Sequence, residues 1–141
     1  MLNSAVITFL AFGLLTCVFA LVKGGKAERL GAGVILANLV LMFGLQAILP
    51  PSTMSVVQLG LDAVTAVALL GLAVLYASFW LGAVMMLYAA QFALHAYYFV
   101  SERPVDLFHA RVNNIDFFAI CIALAIGTLF AARKRAAQAK S

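Results

Sequence analysis

Long apolar stretches separated by short polar segments run along the whole chain. Each stretch is close to the roughly 20 mostly apolar residues that one helical membrane crossing needs. The pattern predicts an all-α integral membrane bundle of five transmembrane helices that forms a single domain over residues 1–141. We place the helices at about 3–22, 30–49, 57–76, 79–100 and 114–132.

The third and fourth predicted helices lie in a stretch with almost no charge. Residues 56–100 contain one charged side chain, that of Asp62. As one straight helix these 45 residues would measure about 67 Å, more than twice the roughly 30 Å hydrocarbon core of a bilayer. The stretch must therefore fold back, and we predict a hairpin turn at 76–80 in which Ser78 caps the following helix.

Basic residues indicate the orientation of the predicted helices. Lys23, Lys26 and Arg29 follow the first helix, and residues 133–135 and 140 are basic after the fifth. Cytoplasmic segments are enriched in Lys and Arg, and four crossings place both basic groups on the same side. We therefore predict that the N-terminus lies outside, the C-terminus is cytoplasmic, and the loop 101–113 faces outward.

Composition supports lipid as the surrounding solvent. The chain is 66% hydrophobic and 10% charged, whereas soluble domains carry about 25% charged residues. Its net charge of +4 forms no basic stripe of the kind that binds nucleic acid, so nucleic acid is not an expected partner. The expected partners are the lipid bilayer and either another membrane protein or further copies of this chain. Cys17 and Cys121 lack metal-binding spacing, so no metal or other cofactor is expected.

Two ionisable residues occupy the predicted hairpin, where burial in lipid is costly. Asp62 lies 16 residues before residue 78 and His95 lies 17 residues after it, so the hairpin brings both to a similar depth. Two interpretations remain open. The pair is either a proton-responsive or ligand-binding site, or a hydrogen bond that joins two membrane helices.

Other polar residues share the helix faces of this pair. Residues at spacings of three, four and seven lie on one face of a helix, so Gln58 and Thr65 share a face with Asp62, and Gln91 and Tyr98 share a face with His95. Counting residues from the hairpin turn places Gln58 level with Tyr98 and Thr65 level with Gln91. The inner half of the predicted helices carries almost no polar side chain, and this asymmetry favours a one-sided pocket over a pore. The candidate intramembrane polar site consists of Asp62, Thr65, Gln91, His95, Asn113 and Asp116.

The predicted outer loop at 101–113 is the most polar outward segment. Pro104 is suited to the first position of a short helix, which we expect to lie on the membrane surface. His95 and His109 are predicted to differ in depth, so a shared metal or haem site is not expected. The candidate site residues of the loop are Glu102, Arg103, Asp106, His109 and Arg111.

Residues 109–118, His-Ala-Arg-Val-Asn-Asn-Ile-Asp-Phe-Phe, resemble the second-helix motif of the membrane-associated eicosanoid and glutathione metabolism proteins. Asn113 and Asp116 match the Asn and the acid of that motif. His109 stands where the motif has Arg, Phe117 replaces the common Tyr, and the segment precedes the last helix. The resemblance implies glutathione chemistry as a minor alternative to a non-enzymatic role.

The order of parts over most of the chain resembles small bacterial inner-membrane proteins with no assigned function. The parts are a basic turn at 23–29, Asp62 in the third helix, and Gln91 and His95 in the fourth. This resemblance implies a location in a bacterial inner membrane and brings no activity with it.

Three functions are open at this point. No enzyme motif is present, so the first is a non-enzymatic binding protein, such as an accessory subunit, a sensor or an immunity-type protein with an outward polar pocket. The second is an oligomeric, proton-linked small transporter or channel that uses Asp62 and His95. The third is a phage-type lysis pore, which is suggested by the small size of the chain and its basic tail.

Overall fold

The computed structural model describes residues 4–139, and over that range the regular structure is entirely α-helical. Residue 3 of the first predicted helix and the basic residue Lys140 lie outside the described residues. Five helices follow one another along the described chain: α1 (Ser4–Lys23), α2 (Lys26–Gln46), α3 (Pro51–Tyr76), α4 (Phe79–Val100) and α5 (Leu107–Gln138).

The helices run up and down in chain order and close into a ring. Each helix packs against its neighbours in sequence, α1 also packs against α5, and α2 touches α5 across the ring. One end of the bundle carries the connections 47–50 and 101–106, and we call it the polar end. The opposite end carries the connections 24–25 and 77–78 together with Arg133, Lys134 and Arg135 of α5, and we call it the basic end.

Helices α1 and α5 lie parallel to each other where the ring closes. Near the polar end the ring centroids of Phe9 and Phe118 are 4.5 Å apart. At the basic end the Arg135 guanidinium donates to the backbone carbonyl of Lys23. Contacts at both ends therefore hold the first and last helices together along their length.

The bundle presents an apolar surface. Helices α2 to α5 are each long and apolar enough to cross a membrane, and the part of α1 at Ile7–Lys23 is a shorter apolar helix. Large side chains point away from the bundle, such as Val64 with 68% and Leu75 with 78% of its surface exposed. Such a surface is suited to lipid and is unfavourable in water.

Two helices begin earlier than the sequence indicated. The predicted start of the second helix at 30 is wrong, because Glu28 Oε2 accepts the backbone N–H of Gly25 at 2.9 Å and closes the first turn of α2. The predicted start of the third helix at 57 is also wrong. Pro51 occupies the first position of α3, where its missing N–H leaves no intrahelical bond unmade.

The fifth helix differs most from its prediction. The predicted separation of a surface helix and outer loop at 101–113 from a helix at 114–132 is wrong, since Leu107–Gln138 is one continuous helix. The connection ends and α5 begins after Asp106, because Asp106 Oδ1 accepts the backbone N–H of His109 at 2.9 Å and caps the helix. Alanine and basic residues favour helix, which extends α5 past 132.

The hairpin between α3 and α4 is confirmed. Helix α3 ends at Tyr76, and α4 begins at Phe79. Between them Ala77 adopts the left-handed region, with φ 46°, and this residue turns the chain back. Ser78 occupies the N-cap position of α4, but its side chain makes no capping hydrogen bond, so the predicted role of the hydroxyl is wrong.

Trp80 fills the core of the basic half. Its ring lies against Gly31 and Gly127, where an added Cβ would be 2.7 Å and 2.5 Å from indole carbons. Buried aliphatic side chains such as Leu81 and Leu124 pack around the same ring. The missing side chains of the two glycines therefore leave the space that the indole occupies. The indole in turn fills the core of the basic half of the bundle.

Candidate functional site

The hairpin brings Asp62 and His95 into direct contact. His95 Nδ1 lies 2.5 Å from Asp62 Oδ2, and both residues are buried. Gln58, one turn before Asp62 on α3, approaches the other ring nitrogen, with its Nε2 3.1 Å from His95 Nε2. The sequence had placed Gln58 opposite Tyr98. We refer to Gln58, Asp62 and His95 as the Asp62 cluster.

The geometry of the Asp62 cluster fits two protonation states of His95, which differ in the orientation of the Gln58 amide. An amide nitrogen donates, so Gln58 donates to a His95 Nε2 that carries no proton. The single ring proton then sits on Nδ1 and is donated to Asp62. In this arrangement the imidazole is neutral and the Asp62 carboxylate keeps its negative charge. Turning the Gln58 amide over would present its oxygen to Nε2 and would accommodate an imidazolium instead.

Asp116 on α5 supplies a second carboxylate to this region. The residue is buried, and its Oδ2 has no hydrogen-bond partner within the described part of the chain. Asp116 interacts electrostatically with Asp62 and with His95. A buried carboxylate oxygen without a donor is unfavourable, so this position favours a proton or a donor group from a bound molecule.

A central cavity of about 290 Å³ lies beside the Asp62 cluster, and all five helices line it. Along α2 it extends from Gln46 near the polar end to Ile35, 11 residues or about 16 Å deeper. It therefore occupies the polar half of the bundle. Its polar lining consists of one carboxylate, one phenol and six amides, from Asp62, Tyr88, Asn38, Gln46, Gln58, Gln91, Asn113 and Asn114.

Two hydrogen bonds join neighbouring helices in the cavity region. Gln91 on α4 donates to Asn113 Oδ1 on α5 at 2.8 Å. Asn38 on α2 donates to Thr65 Oγ1 on α3 at 2.7 Å. Thr65 thus bonds to α2 and not to Gln91, because three residues of helix rotate it from the direction of Asp62 toward the other neighbour of α3.

His109 lies closer to His95 than the sequence indicated. The two ring centroids are 5.0 Å apart, and the Tyr98 ring meets His109 edge-on at 4.7 Å. The predicted difference in depth is wrong because α5 starts at Leu107, which places His109 in its first turn with the imidazole buried. Within residues 4–139, no group of three or more His, Cys, Asp or Glu side chains is arranged to hold a metal ion.

A second cavity of about 510 Å³ opens at the polar end beside the connection 101–106. His95 lines this cavity, Asp62 lines the central cavity, and Gln58 lines both. The Asp62 cluster therefore stands between the two cavities.

Hydrogen bonds to Asp106 organise the connection between α4 and α5. Its carboxylate accepts the backbone N–H of His109 and the hydroxyl of Tyr98, the latter at 2.7 Å. These two bonds hold the pKa of Asp106 below its usual range. The connection is therefore tied to both α4 and α5 through a single side chain.

The remaining candidate residues of the predicted outer loop face away from the central cavity. Arg103 lies over the Tyr97 ring, with the guanidinium carbon 5.8 Å from its centroid. Glu102 has a φ of 51° and is exposed, and Arg111 is exposed on the first turns of α5. None of the three charged residues lines the central cavity, whereas Glu102 and Arg103 line the second cavity.

Sequence reasoning missed a polar contact at the basic end. Trp80 Nε1 donates to Glu28 Oε1 at 2.8 Å, and both side chains are buried. The sequence had placed Glu28 in the basic turn at 23–29 and Trp80 in the hairpin turn at 76–80. The signal that could have found the pair is the start of α2 at Lys26, which turns Glu28 into the bundle.

The predicted polar residues fall into distinct places in the structure. Asp62, Gln91 and Asn113 line the central cavity, while His95 and Asp116 lie buried beside it. The chain matches no family model, no curated protein and no solved structure. The geometry of the cavity is therefore the basis for the function proposed below.

Proposed function

We propose that this chain is a non-enzymatic integral membrane protein that binds a small molecule in its central cavity. The observation that carries the proposal is that every helix contributes to one cavity with eight polar side chains, inside an otherwise apolar bundle. Polar groups within a membrane are costly, and a pocket with convergent polar groups is the usual form of a ligand site. Accessory subunits, sensors and immunity-type proteins all act by such binding.

The proposed topology has five crossings in a bacterial inner membrane, with the N-terminus outside. The basic end, which carries Lys23, Lys26 and Arg29, then faces the cytoplasm. The cavity then opens toward the outside, where a small molecule reaches it without crossing the membrane. A second copy of the chain or another membrane protein would contact the apolar surface of the bundle and respond to the binding of the ligand there.

The packing of the basic half favours binding over passage. Trp80 lies against Gly31 and Gly127 and bonds to buried Glu28, so a solid core continues where the cavity ends. A conducting path through one copy of the bundle would have to displace this core. The same packing speaks against a lysis pore.

The charge of the cavity speaks against glutathione chemistry. Glutathione is an anion at neutral pH, and the one charged side chain among the lining residues is the carboxylate of Asp62. An anion beside this group would meet repulsion with no positive side chain in the lining to offset it.

A ligand panel tests the proposal. Purified protein in detergent is heated with small ammonium compounds, alcohols and polyols, carboxylates, and amino acids. We expect a saturable rise in Tm with at least one class, because a ligand that binds the folded state stabilises it. Gln91→Trp should abolish this rise, since the larger side chain occupies the cavity.

The matched control places the same side chain outside the cavity. Val67 lies on α3 with 69% of its surface exposed, so Val67→Trp should respond to the ligands as the wild type does. A panel without any stabilising class, or a Gln91→Trp variant that responds like the wild type, would show that the cavity is not a binding site.

Proton-linked transport by an oligomer is the second candidate, and the contact between the Asp62 carboxylate and the His95 imidazole favours it, because both groups can carry a proton. Both cavities beside this contact lie in the polar half of the bundle, so a transported proton would also need a route through the basic half. The test is proton flux into liposomes that contain the protein. Flux that Asp62→Asn abolishes would support transport, whereas equal flux for both proteins would remove Asp62 from the mechanism.

A further inference from the structure

The floor of the central cavity carries negative charge without a matching positive group. Among the described residues of the lining Asp62 is the one that carries a charge, and a His95 that accepts from Gln58 Nε2 and donates to Asp62 is neutral. Asp116 stands nearby with an unpartnered buried oxygen. The floor therefore holds the charge of Asp62 and the second carboxyl group of Asp116, with no Lys or Arg among the described residues of the lining.

The described titratable groups around Asp62, taken helix by helix, include no Lys or Arg. Helix α4 presents His95 and Tyr88, and α5 presents Asp116. Neither α1 nor α2 contributes a titratable side chain to the described lining of the cavity. The Lys and Arg residues within 4–139 lie elsewhere, at the basic end or, like Arg103 and Arg111, on exposed positions of the polar end.

The walls combine aromatic faces with hydrogen-bond acceptors. The rings of Phe9, Phe43, Tyr88 and Phe117 line the cavity, and the faces of such rings attract cations. The six amide side chains of the lining offer oxygens that accept hydrogen bonds from N–H donors. The lining therefore suits a positive group that is attached to an apolar body.

The size of the cavity separates an organic cation from a metal ion. A volume of about 290 Å³ is far larger than one ion and approaches the lower limit of pockets for small organic ligands. The lining also lacks the clustered acidic and imidazole ligands that a metal site would use, as far as residues 4–139 are concerned.

We propose that the central cavity binds a small organic ammonium ion, with the charged group beside Asp62 and the apolar body against the aromatic walls. This inference rests on the proposed binding function and names the class of its ligand. Coulomb attraction to Asp62 in a site of low dielectric discriminates this class from neutral molecules of the same shape.

Three probes that differ mainly in charge test the inference. Isothermal titration calorimetry on the detergent-solubilised protein measures the binding of 2-phenylethylammonium, 2-phenylethanol and phenylacetate. We expect the wild type to bind the ammonium compound at least about tenfold more tightly than the alcohol, because only the former meets Asp62 with a positive charge. Phenylacetate should not bind measurably.

Asp62→Asn removes the charge at nearly constant shape. The variant should bind 2-phenylethylammonium about tenfold or more weakly than the wild type and should retain its affinity for 2-phenylethanol. Glu102→Gln makes the same chemical change at an exposed position that lines the second cavity and not the central one, and we expect it to bind all three probes like the wild type. If Asp62→Asn does not fold, the probe series on the wild type decides by itself.

The outcomes separate this inference from the binding function. Equal affinity for the ammonium compound and the alcohol, no binding of any of the three probes, or a preference that survives in Asp62→Asn would overturn the ammonium assignment. The binding function would still stand if another class in the ligand panel stabilised the wild type and failed to stabilise Gln91→Trp. The binding function is overturned only if no class in the ligand panel stabilises the wild type or if Gln91→Trp responds to the ligands like the wild type.

Discussion

Asp62 and His95 depend on each other for their presence inside an apolar bundle. A buried carboxylate without a partner is strongly destabilising, and the His95 Nδ1–H supplies the donor that Asp62 needs. Gln58 in turn holds the opposite ring nitrogen, which orients the imidazole. The cluster therefore keeps a charged oxygen at a defined place next to the cavity.

Asp106 offers a test at a position outside the five helices. Asp106→Ala should lower Tm at neutral pH because α5 loses its N-cap, and Asp106→Asn should lower it less because Asn also caps helices. The hydrogen bonds to His109 N–H and Tyr98 lower the pKa of Asp106 from its ordinary value of 3.8, so folding favours the charged form.

The sign of the pH dependence follows from this lowered pKa. The stability that the charged Asp106 adds is fully present above its ordinary pKa of 3.8 and is lost as the pH falls through the lower value in the folded protein. Thermal unfolding followed by circular dichroism should show the wild type losing its advantage over Asp106→Asn as acid is added. A difference in Tm that stays constant into strong acid would contradict this role.

Contacts between side chains were predictable where they depended on depth alone. The Asp62–His95 contact follows from equal residue counts on both sides of a turn, because every helical residue adds the same rise. The contact between His95 and His109 depended on where α5 begins, and the Asn38–Thr65 bond on how α3 is rotated. Neither quantity can be read from spacing.

Helices α2, α4 and α5 meet at Trp80, and their approach depends on two glycines. A Cβ at Gly127 would lie 2.5 Å from the indole Cγ, so Gly127→Ala must displace the ring or the helix. Overpacking of this kind costs about 1–3 kcal/mol, and we expect a clear fall in Tm. Tryptophan fluorescence should also shift, because the one Trp of the chain moves.

Gly33 provides the matched control on α2. An added Cβ there would meet nothing within 4 Å, and alanine favours helix over glycine by roughly 0.5–1 kcal/mol. Gly33→Ala should therefore leave Tm unchanged or raise it. If both variants behave alike, the close approach at Trp80 does not limit stability.

Helix existence was easier to predict than helix ends. The number of helices and the α3–α4 hairpin follow from apolar length, since no bilayer could accommodate 45 residues in one crossing. The early start of α5 depends on Asp106 accepting the N–H of His109. Such local bonds outweigh hydropathy at helix ends, where the side chains are already polar.

The charge distribution over the whole molecule predicts its orientation in a membrane. Six of the nine Lys and Arg residues, at 23, 26, 29 and 133–135, belong to the basic end, and Lys140 follows them in the sequence. A fluorescent protein that matures only in the cytoplasm should be fluorescent when it is fused after Ala77 or after residue 141. Alkaline phosphatase, which is active only outside, should be active when it is fused after Leu49 or Arg103.

Two results would change this topology. Phosphatase activity after Ala77 would mean that the bundle is inverted and that the central cavity faces the cytoplasm. Opposite locations for the fusions after Ala77 and residue 141 would mean that α4 and α5 do not both cross. The ligand experiments in detergent do not depend on either result.

The sequence by itself determined the helical class, the approximate number of helices, the hairpin and the depth of Asp62 and His95. These properties follow from apolar length and constant helical rise, which are local. Only the tertiary structure decided that the helices close into a ring, that Trp80 is buried against Glu28, and that amides from all sides converge on one cavity. Rotation and tilt of each helix set these contacts, and they emerge only when all five helices pack together.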